Sequence, residues 1–482
     1  MNRLTFARIS CLLALLSLFA TGSKAQTDMQ CYREDPGAGA RDHVLDFKRM
    51  VLDVAFEPKK GLVKGEATHY FTTIRKNVDS IFLDAPGIEF REVLLNEEPV
   101  EFKTTADGII IYPETSLKWE TDHKLFLDYT ATPRKGIYFI GWNDPRDQSR
   151  KQIWTQGQGT DNRHWIPCYD NPNDKLITEV KVTFDEEYQV LSNGEQLNVK
   201  NNDGEDTKTW HYKISHPHTT YLVMLAIGKY GIEKRTSKNG VPMYLYYYPD
   251  QPEKMKPTYK HSGQIMNVME EETGIDYPWS RYSQVPVQNF LYGAMENTTA
   301  TIFGDFYHVD KRGALDNSYV YVNAHELAHH WFGDYITLNS DEHIWLHESF
   351  ATYYGRLCEY HIYGDKRYQE IREQQLQRAL AASDKNIRPI MSSRAGVNRI
   401  YPKGALVVGM LKDIVGKEQF DKVITHYLKK HAYKNVTTHE FIMAFQDVLG
   451  MNLNWFFEQW IKHGGEPHYK VNYQAIRKNG QH

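Results

Sequence analysis

Two histidines and a glutamate in the middle of the chain have the types and spacing of a metal site. They belong to the pentapeptide His325-Glu326-Leu327-Ala328-His329. Residues four apart lie on one face of a helix, so both imidazoles can bind one metal ion. Glu326 then lies beside that ion, where its carboxylate can act as a base on a water molecule. The pentapeptide alone would also fit a surface helix with two solvated histidines.

Glu348, 19 residues after His329, is the candidate third ligand. A catalytic zinc site has three protein ligands and one open position. Trp345, Leu346 and Phe350 make the surroundings of Glu348 apolar, and an unpaired carboxylate would be unfavourable there. Coordination of a metal resolves that problem. We therefore predict one zinc ion per chain, held by His325, His329 and Glu348.

Two helices are needed to bring these three ligands together. The spacing of apolar residues predicts helices over residues 314–332 and 344–363, with Asn339 and Ser340 as candidate caps before the second. The apolar side chains around the histidine motif indicate that its helix is buried. A catalytic metal site needs such a rigid backing.

The rest of the sequence divides into a β-rich half and a helical half. Alternating residues such as Met50, Leu52, Val54 and Phe56 indicate half-buried strands between about residues 42 and 234. Helical periodicity begins after Pro257, with one further strand expected over 282–289. The predicted fold is therefore a multidomain α+β chain: an N-terminal antiparallel β saddle or sandwich, then a mainly helical domain. Other predicted strands are 80–83, 108–112, 125–129, 179–184 and 220–227, and other predicted helices are 261–272, 368–383, 403–415, 417–430 and 438–449.

The first 25 residues have the pattern of a secretory signal peptide. Arg3 and Arg8 precede an apolar run over residues 9–20, and Ser23-Lys24-Ala25 offers small residues for cleavage. The run is shorter than the roughly 20 apolar residues of a membrane-spanning helix, and no later segment is predicted to be transmembrane. We therefore expect export to the periplasm or the medium. The predicted segments are a signal peptide (1–25), a β domain (26–236), a catalytic domain (237–465) and a tail (466–482) with a candidate strand over 468–473.

Composition excludes some other classes of protein. The 482 residues carry a formal net charge of −4, and no long run of lysine or arginine occurs, so nucleic-acid binding is not expected. Beyond the signal peptide, Cys31, Cys168 and Cys358 are too few for a disulfide framework. Buried free thiols are expected instead. The sequence predicts no particular oligomeric state.

The motifs together resemble those of the aminopeptidase N family of gluzincin zinc peptidases, which includes the leukotriene-hydrolase type. HELAHHWFGD and WLHESFA carry the resemblance, with Gly293-Ala294-Met295-Glu296-Asn297 about 30 residues before the first of them. The resemblance implies a thermolysin-like catalytic domain. It also implies that Glu296 binds the free α-ammonium of a peptide, while the backbone of Gly293, Ala294 and Met295 pairs with the extended substrate.

Further matches extend the resemblance over most of the chain. Tyr401-Pro402-Lys403-Gly404 is similar to the family's tyrosine motif, which implies that Tyr401 donates a hydrogen bond to the developing oxyanion; the alternative is a tyrosine that caps the next helix. Gln156 and Gln158 lie in a segment that resembles the part of the N-terminal domain that reaches into the cleft. Gln158 would be a second contact for the amine.

The chain also departs from the family's pattern. His347 and Ser349 flank the third ligand where asparagine and glycine are commoner. The family normally continues into a helical C-terminal domain, whereas this sequence stops at His482. We therefore expect either a compact variant or a truncated product.

The function expected from these features is that of a zinc-dependent aminopeptidase. It would hydrolyse the first peptide bond of peptides with a free N-terminus. One alternative is a zinc endopeptidase, which would share the metal site but would not need Glu296. The other is a homologue that binds peptides without cleaving them.

Overall fold

The computed structural model describes Asp35 and residues 39–467 and 469–473. The predicted signal peptide, Cys31 and His468 lie outside these residues. Among the described helices, none combines the length and the hydropathy needed to cross a membrane. Cys168 and Cys358 are both buried and free, as predicted.

A large twisted sheet forms the N-terminal half. Its eight strands are, in spatial order, Glu195–Asn201, Thr207–Lys213, Ile177–Asp185, Leu45–Glu57, Leu62–Thr73, Asp122–Ala131, Ile88–Leu95 and Glu98–Pro99. The alternation in the first strand is confirmed, because Met50, Leu52 and Val54 are at most 1% exposed and belong to the core. The strands of this sheet are antiparallel, as expected, except at one pair. Leu45–Glu57 and Ile177–Asp185 pair in parallel, which the long connection between them permits.

Two smaller sheets complete this half. One contains Gln189–Ser192, Leu225–Gly228, Gln152–Thr155 and Ile137–Ile140; the other contains Ile81–Asp84, Gly108–Tyr112 and Glu101–Thr104. The strand predicted over 220–227 is wrong in its first part, where Thr220–Leu222 is a 3₁₀ turn. The Thr220 side chain donates to the Tyr169 carbonyl, and the Asn162 amide donates to the Thr220 carbonyl. These side-chain hydrogen bonds replace the sheet pairing of that segment.

A five-stranded sheet opens the second half, where only one strand was expected. Its order is Gly231–Thr236, Pro242–Tyr247, Tyr282–Val287, Ala300–Gly304 and, at the edge, Ala294–Met295. The first two strands form a hairpin, and the boundary predicted after residue 236 falls in its turn. That boundary stays a prediction. The edge strand pairs only through Met295 with Ile302 and Ala294 with Phe303.

Two helices lie between the second and third strands of this sheet along the chain, and the others follow its last strand. In chain order, the helices are Met255–Thr258, Ser262–Thr273, Gly313–Asp316, Val320–His329, Trp345–Tyr363, Asp365–Ser383, Gly404–Val415, Lys417–Lys430, Thr438–Leu449 and Asn454–Phe457. The helix predicted over 314–332 is wrong at both ends. Asn317 interrupts it with an extended backbone, and its side chain donates to the Phe306 carbonyl instead. At the other end, the helix stops at His329.

The helical half has its own hydrophobic core. Phe332 stacks on Phe350 with ring centroids 4.7 Å apart, so the segment after the histidine motif packs on the Glu348 helix. Asn339 and Ser340 do not cap that helix, which begins at Trp345. Asn339 instead donates its backbone N–H to the Val436 carbonyl. The strand predicted over 468–473 is absent from the described residues 469–473, which are exposed.

Candidate active site

The three predicted metal ligands meet in one place. His325 and His329 come from the helix Val320–His329, and Glu348 comes from the first turn of Trp345–Tyr363. The two Nε2 atoms are 3.1 Å apart. One carboxylate oxygen of Glu348 lies 3.3 Å from the first and 3.4 Å from the second. The three side chains therefore offer one triangle of donor atoms.

Zinc fits this triangle. With bonds of about 2.0–2.1 Å, the ligand atoms of a tetrahedral zinc site are about 3.3 Å apart, which matches the observed separations. The Glu348 oxygen that faces both histidines is buried and has no hydrogen-bond partner among the described residues. An orphaned carboxylate oxygen between two imidazoles is what a cation would satisfy.

Contacts behind the ligands fix their orientation. The Nδ1 atom of His329 lies 3.1 Å from the Phe332 carbonyl, so its Nε2 is directed toward the metal position. His347, beside the third ligand, accepts a hydrogen bond of 2.7 Å from the Leu338 backbone N–H. Burial lowers the pKa of His347 to about 3, so this imidazole is neutral and able to accept. It holds the start of the Glu348 helix.

Glu326 is buried next to the metal ligands, at 5% exposure. Burial raises the pKa of its carboxyl well above the ordinary value, and the charges of Glu296 and Glu348 raise it further against the effect of His329. A carboxylate with a raised pKa can take a proton from water near neutral pH and give it back later. This is the role predicted for Glu326.

Glu296 lies at the end of the edge strand Ala294–Met295 and is 3% exposed. Glu296, Glu326 and His329 each offer an atom within 4.8 Å of the other two. Burial raises the pKa of Glu296, partly offset by His329. Gly293 supports this arrangement because its φ of 92° is one that glycine adopts without strain. Asn297, the last residue of the motif, is fully buried, and in the described part of the chain neither polar atom of its side chain has a hydrogen-bond partner.

Tyr401 reaches the same site from a short turn that precedes the helix Gly404–Val415. Its ring lies over that of His325, with centroids 5.7 Å apart and planes 24° apart. Burial raises the pKa of its hydroxyl, and the charge of Glu348 raises it further. The hydroxyl is therefore protonated and can donate a hydrogen bond. Tyr401 does not cap the helix, because the turn places it against the metal ligand.

The two glutamines of the N-terminal half differ in position. Gln156 is 2% exposed, and none of the residues that the structure describes forms a hydrogen bond with its side-chain oxygen. Gln158 is exposed, and among the described residues no hydrogen bond joins it to Glu296. The second amine contact predicted for Gln158 thus stays a prediction.

Three residues of the site were missed by the sequence reasoning. Tyr221, from the N-terminal half, donates from its hydroxyl to Glu296 at 3.4 Å. Lys175 donates to the carbonyls of Asp334 at 2.9 Å and of Tyr335 at 3.1 Å, and burial lowers its pKa to about 7. Asp334 is fully buried and donates its N–H to the His329 carbonyl. The Tyr221 and Lys175 contacts link the two halves of the chain, and no local sequence pattern predicts them.

Comparison with protein families accounts for most of the chain. A model of the M1 N-terminal domain matches residues 44–222, and a model of the peptidase family M1 domain matches residues 258–460. The chain belongs to peptidase family M1. His325, His329 and Glu348 lie within the segment that the peptidase family M1 domain model matches, and together they form a group that could hold the zinc ion.

Similar proteins agree with this assignment. Human glutamyl aminopeptidase is 29% identical over 339 residues, which are 67% of this chain and 35% of that protein. A probable aminopeptidase 1 from Sulfurisphaera tokodaii is 25% identical over 422 residues, 83% of this chain and 52% of that one. The M1 chain thus spans between about a third and a half of these relatives.

A solved structure shows the same fold. It is a mutant M1 zinc metallopeptidase from Deinococcus radiodurans, bound to a Tyr-Ser-Ala substrate. Its TM-score is 0.74 at 21% identity, over 89% of this chain and 96% of that one. The likeness confirms the β half followed by the helical peptidase half.

Proposed function

We propose that this M1 chain is a zinc aminopeptidase that removes the first residue of peptides. The observation that carries the proposal is a buried carboxylate, Glu296, beside a three-ligand metal group. A carboxylate at a fixed distance from the metal selects a positively charged amine, so the first peptide bond is the one that reaches the reacting position. An endopeptidase would have no use for this group.

The amine site would be built from both halves of the chain. Glu296 accepts the hydroxyl hydrogen bond of Tyr221 and keeps a second carboxylate oxygen for the ammonium. Among the described strands, the adjacent edge strand has a partner on one side only, so an extended peptide can pair with Gly293 to Met295 on the other. Gln158 would supply a further contact to the amine.

Zinc, when bound to His325, His329 and Glu348, would polarise the scissile carbonyl and lower the pKa of a water molecule toward about 7. Glu326 would take a proton from the attacking water and return it to the leaving amine. Tyr401 would donate a hydrogen bond to the oxygen on which negative charge develops. One such donor typically contributes about 3–4 kcal/mol to transition-state stabilisation.

The proposal is tested with amino-acid p-nitroanilides and their N-acetylated counterparts, each with and without a zinc chelator. We expect chelator-sensitive cleavage of the free-amine substrates, with kcat/KM far above that of the N-acetylated ones. Cleavage of an internally quenched peptide with a blocked N-terminus would favour the endopeptidase instead. A chain with bound zinc and no turnover on any substrate would favour a non-catalytic peptide-binding role.

Export is a separate part of the proposal and is supported by the sequence of the first 25 residues. The chain would be periplasmic or secreted, with cleavage after Ala25. Mass spectrometry of the protein expressed with its own leader in a bacterial host tests this. The mature N-terminus is expected at Gln26, and an intact Met1 in the cytoplasmic fraction would contradict export.

A further inference from the structure

The turn that carries Tyr401 is weakly held by its own backbone. Residues Arg399–Lys403 form a single π-helical turn with Pro402 inside it. Proline has no N–H to donate, and π-helical turns are rare and are mostly limited to a single turn. Contacts from outside the turn must therefore determine where the tyrosine lies.

Two of these contacts anchor the ends of the turn. The Arg399 guanidinium donates to the Ala382 carbonyl at 2.9 Å, at the end of the neighbouring helix. The Lys403 ammonium donates to the Glu466 carboxylate at 2.8 Å. Ala382 and Glu466 both lie outside the two helices that carry the candidate metal ligands.

A third contact joins the turn directly to the ligand helix. The Ser349 hydroxyl donates to the Ile400 carbonyl at 2.7 Å, and Ser349 is fully buried. Ser349 follows the metal ligand Glu348, and Ile400 precedes Tyr401. One hydrogen bond therefore connects the neighbour of the ligand with the neighbour of the tyrosine.

Gly404 makes room for this hydrogen bond. A Cβ atom at position 404 would overlap the Ser349 hydroxyl, although φ of Gly404 is an ordinary helical −60°. The absence of a side chain there is thus a matter of space and not of backbone conformation. Ser349 reaches the Ile400 carbonyl across this gap.

We propose that Ser349 is a positioning residue, whose hydrogen bond to the Ile400 carbonyl sets the Tyr401 hydroxyl at its working distance from the metal site. The inference rests on the proposed function, in which Tyr401 stabilises the developing oxyanion. Ser349 itself touches neither substrate nor metal. Its effect is transmitted through one carbonyl to the next residue of the chain.

The test is a double-mutant cycle of Ser349→Ala and Tyr401→Phe in the zinc-loaded, full-length protein. Misplacement of a catalytic group by about 1 Å can lower a rate up to a hundredfold. We expect Ser349→Ala to lower kcat by about tenfold or more with KM within about twofold and one zinc per chain retained. In the Tyr401→Phe background, Ser349→Ala should change kcat by less than about twofold, because residues that act as a unit are not additive.

A binding measurement accompanies the kinetics. A phosphonate analogue of a dipeptide places a charged oxygen where the oxyanion would develop. Calorimetry should show weaker binding to Ser349→Ala than to the wild type, and equal binding to Tyr401→Phe with and without Ser349→Ala. This readout does not depend on turnover.

Variants at position 404 separate positioning from packing. Gly404→Ala should lower both the melting temperature and kcat, since it displaces the Ser349 side chain. Ser349→Gly combined with Gly404→Ala restores the space. The double variant should have the melting temperature of Ser349→Gly alone and the low kcat of Ser349→Ala.

The outcomes are distinct. A Tyr401→Phe variant with normal kcat would overturn the oxyanion role and the inference with it. If Tyr401→Phe lowers kcat while Ser349→Ala leaves it unchanged, the inference about Ser349 is overturned and the oxyanion role of Tyr401 is retained. Loss of zinc in Ser349→Ala, or an equal fall of kcat in both backgrounds, would also overturn it, because Ser349 would then act through Glu348.

Discussion

Replacement of Glu296 by glutamine tests the proposed amine site by the removal of one charge. Glu296 is 3% exposed, and Tyr221 donates to one of its oxygens at 3.4 Å. Glutamine has nearly the same shape and keeps an oxygen that can accept this hydrogen bond. The fold of the edge strand should therefore persist, while the attraction for an ammonium is lost.

The expected magnitude follows from the kind of hydrogen bond that is changed. A hydrogen bond to a charged partner contributes about 1.5–3 kcal/mol, against about 0.5–1.5 kcal/mol for a neutral one. The difference of about 1–1.5 kcal/mol corresponds to a factor of about 5–13. Burial of Glu296 strengthens the charge interaction, so kcat/KM on free-amine substrates should fall by at least that factor.

The assay compares leucine p-nitroanilide with its N-acetylated form, as a ratio of kcat/KM values. Glu296→Gln should lower this ratio, since the acetylated substrate never uses the charge. Tyr221→Phe is the matched control because it removes the donor but keeps the carboxylate, and it should change the ratio less than Glu296→Gln does. An unchanged ratio, or an equal loss on both substrates, would refute the assignment of Glu296 to the amine.

Two other predictions concern the base and the stability of the fold. Glu326→Gln should retain one zinc per chain but lose turnover, since an amide cannot take a proton from water. Zinc content and hydrolysis rate are measured on one sample. A rate near that of the wild type would contradict the role of Glu326 as the base. Burial lowers the pKa of His69 to about 4 and of His218 to about 3 from an ordinary 6.5. The unfolded chain therefore binds protons that the folded chain does not, and the free energy of unfolding should fall as the pH drops from about 6.5 to 4. For His69 the loss of unfolding free energy approaches about 3 kcal/mol. Urea unfolding at several pH values should show that this free energy falls less steeply in His69→Gln than in the wild type. Identical pH dependence in the two proteins would exclude His69 as a source of the pH-dependent loss of stability.

Some elements could be predicted to the residue because their signals are local. The helix Thr438–Leu449 begins at a capping box formed by Thr437 and Glu440 and ends at Gly450, whose φ is 67°. The metal ligands are equally local, since two lie four residues apart on one helix and the third lies early in the next. Short-range geometry of this kind can be predicted from the order of the residues.

The rest of the site depends on contacts between distant parts of the chain. Tyr221 meets Glu296 across 75 positions, and Lys175 meets Asp334 across 159. The parallel pairing of Leu45–Glu57 with Ile177–Asp185 has the same origin. Periodicity predicts that a residue is buried or that a segment is a strand, but it does not say what lies opposite.

In the proposed function, the metal ion and the substrate's ammonium together balance the negative charges of three buried glutamates. Glu296, Glu326 and Glu348 are each at most 5% exposed, and histidines that bind a metal do so in the neutral form. Buried charges without counter-charges are unfavourable by several kcal/mol each. Zinc offsets two of the three negative charges, and the α-ammonium of a substrate would offset the third.

Zinc and amine should therefore favour each other's binding, and by thermodynamic reciprocity the effect must be the same in both directions. Zinc titrations of the chelator-treated protein, with and without saturating leucine amide, measure the coupling. We expect tighter zinc binding with the amide, and no such gain with N-acetyl-leucine amide or in Glu296→Gln. Zinc affinity could instead be the same without a ligand, with leucine amide, with N-acetyl-leucine amide and in Glu296→Gln. That result would mean that a proton on Glu326, and not the substrate's ammonium, neutralises the third negative charge.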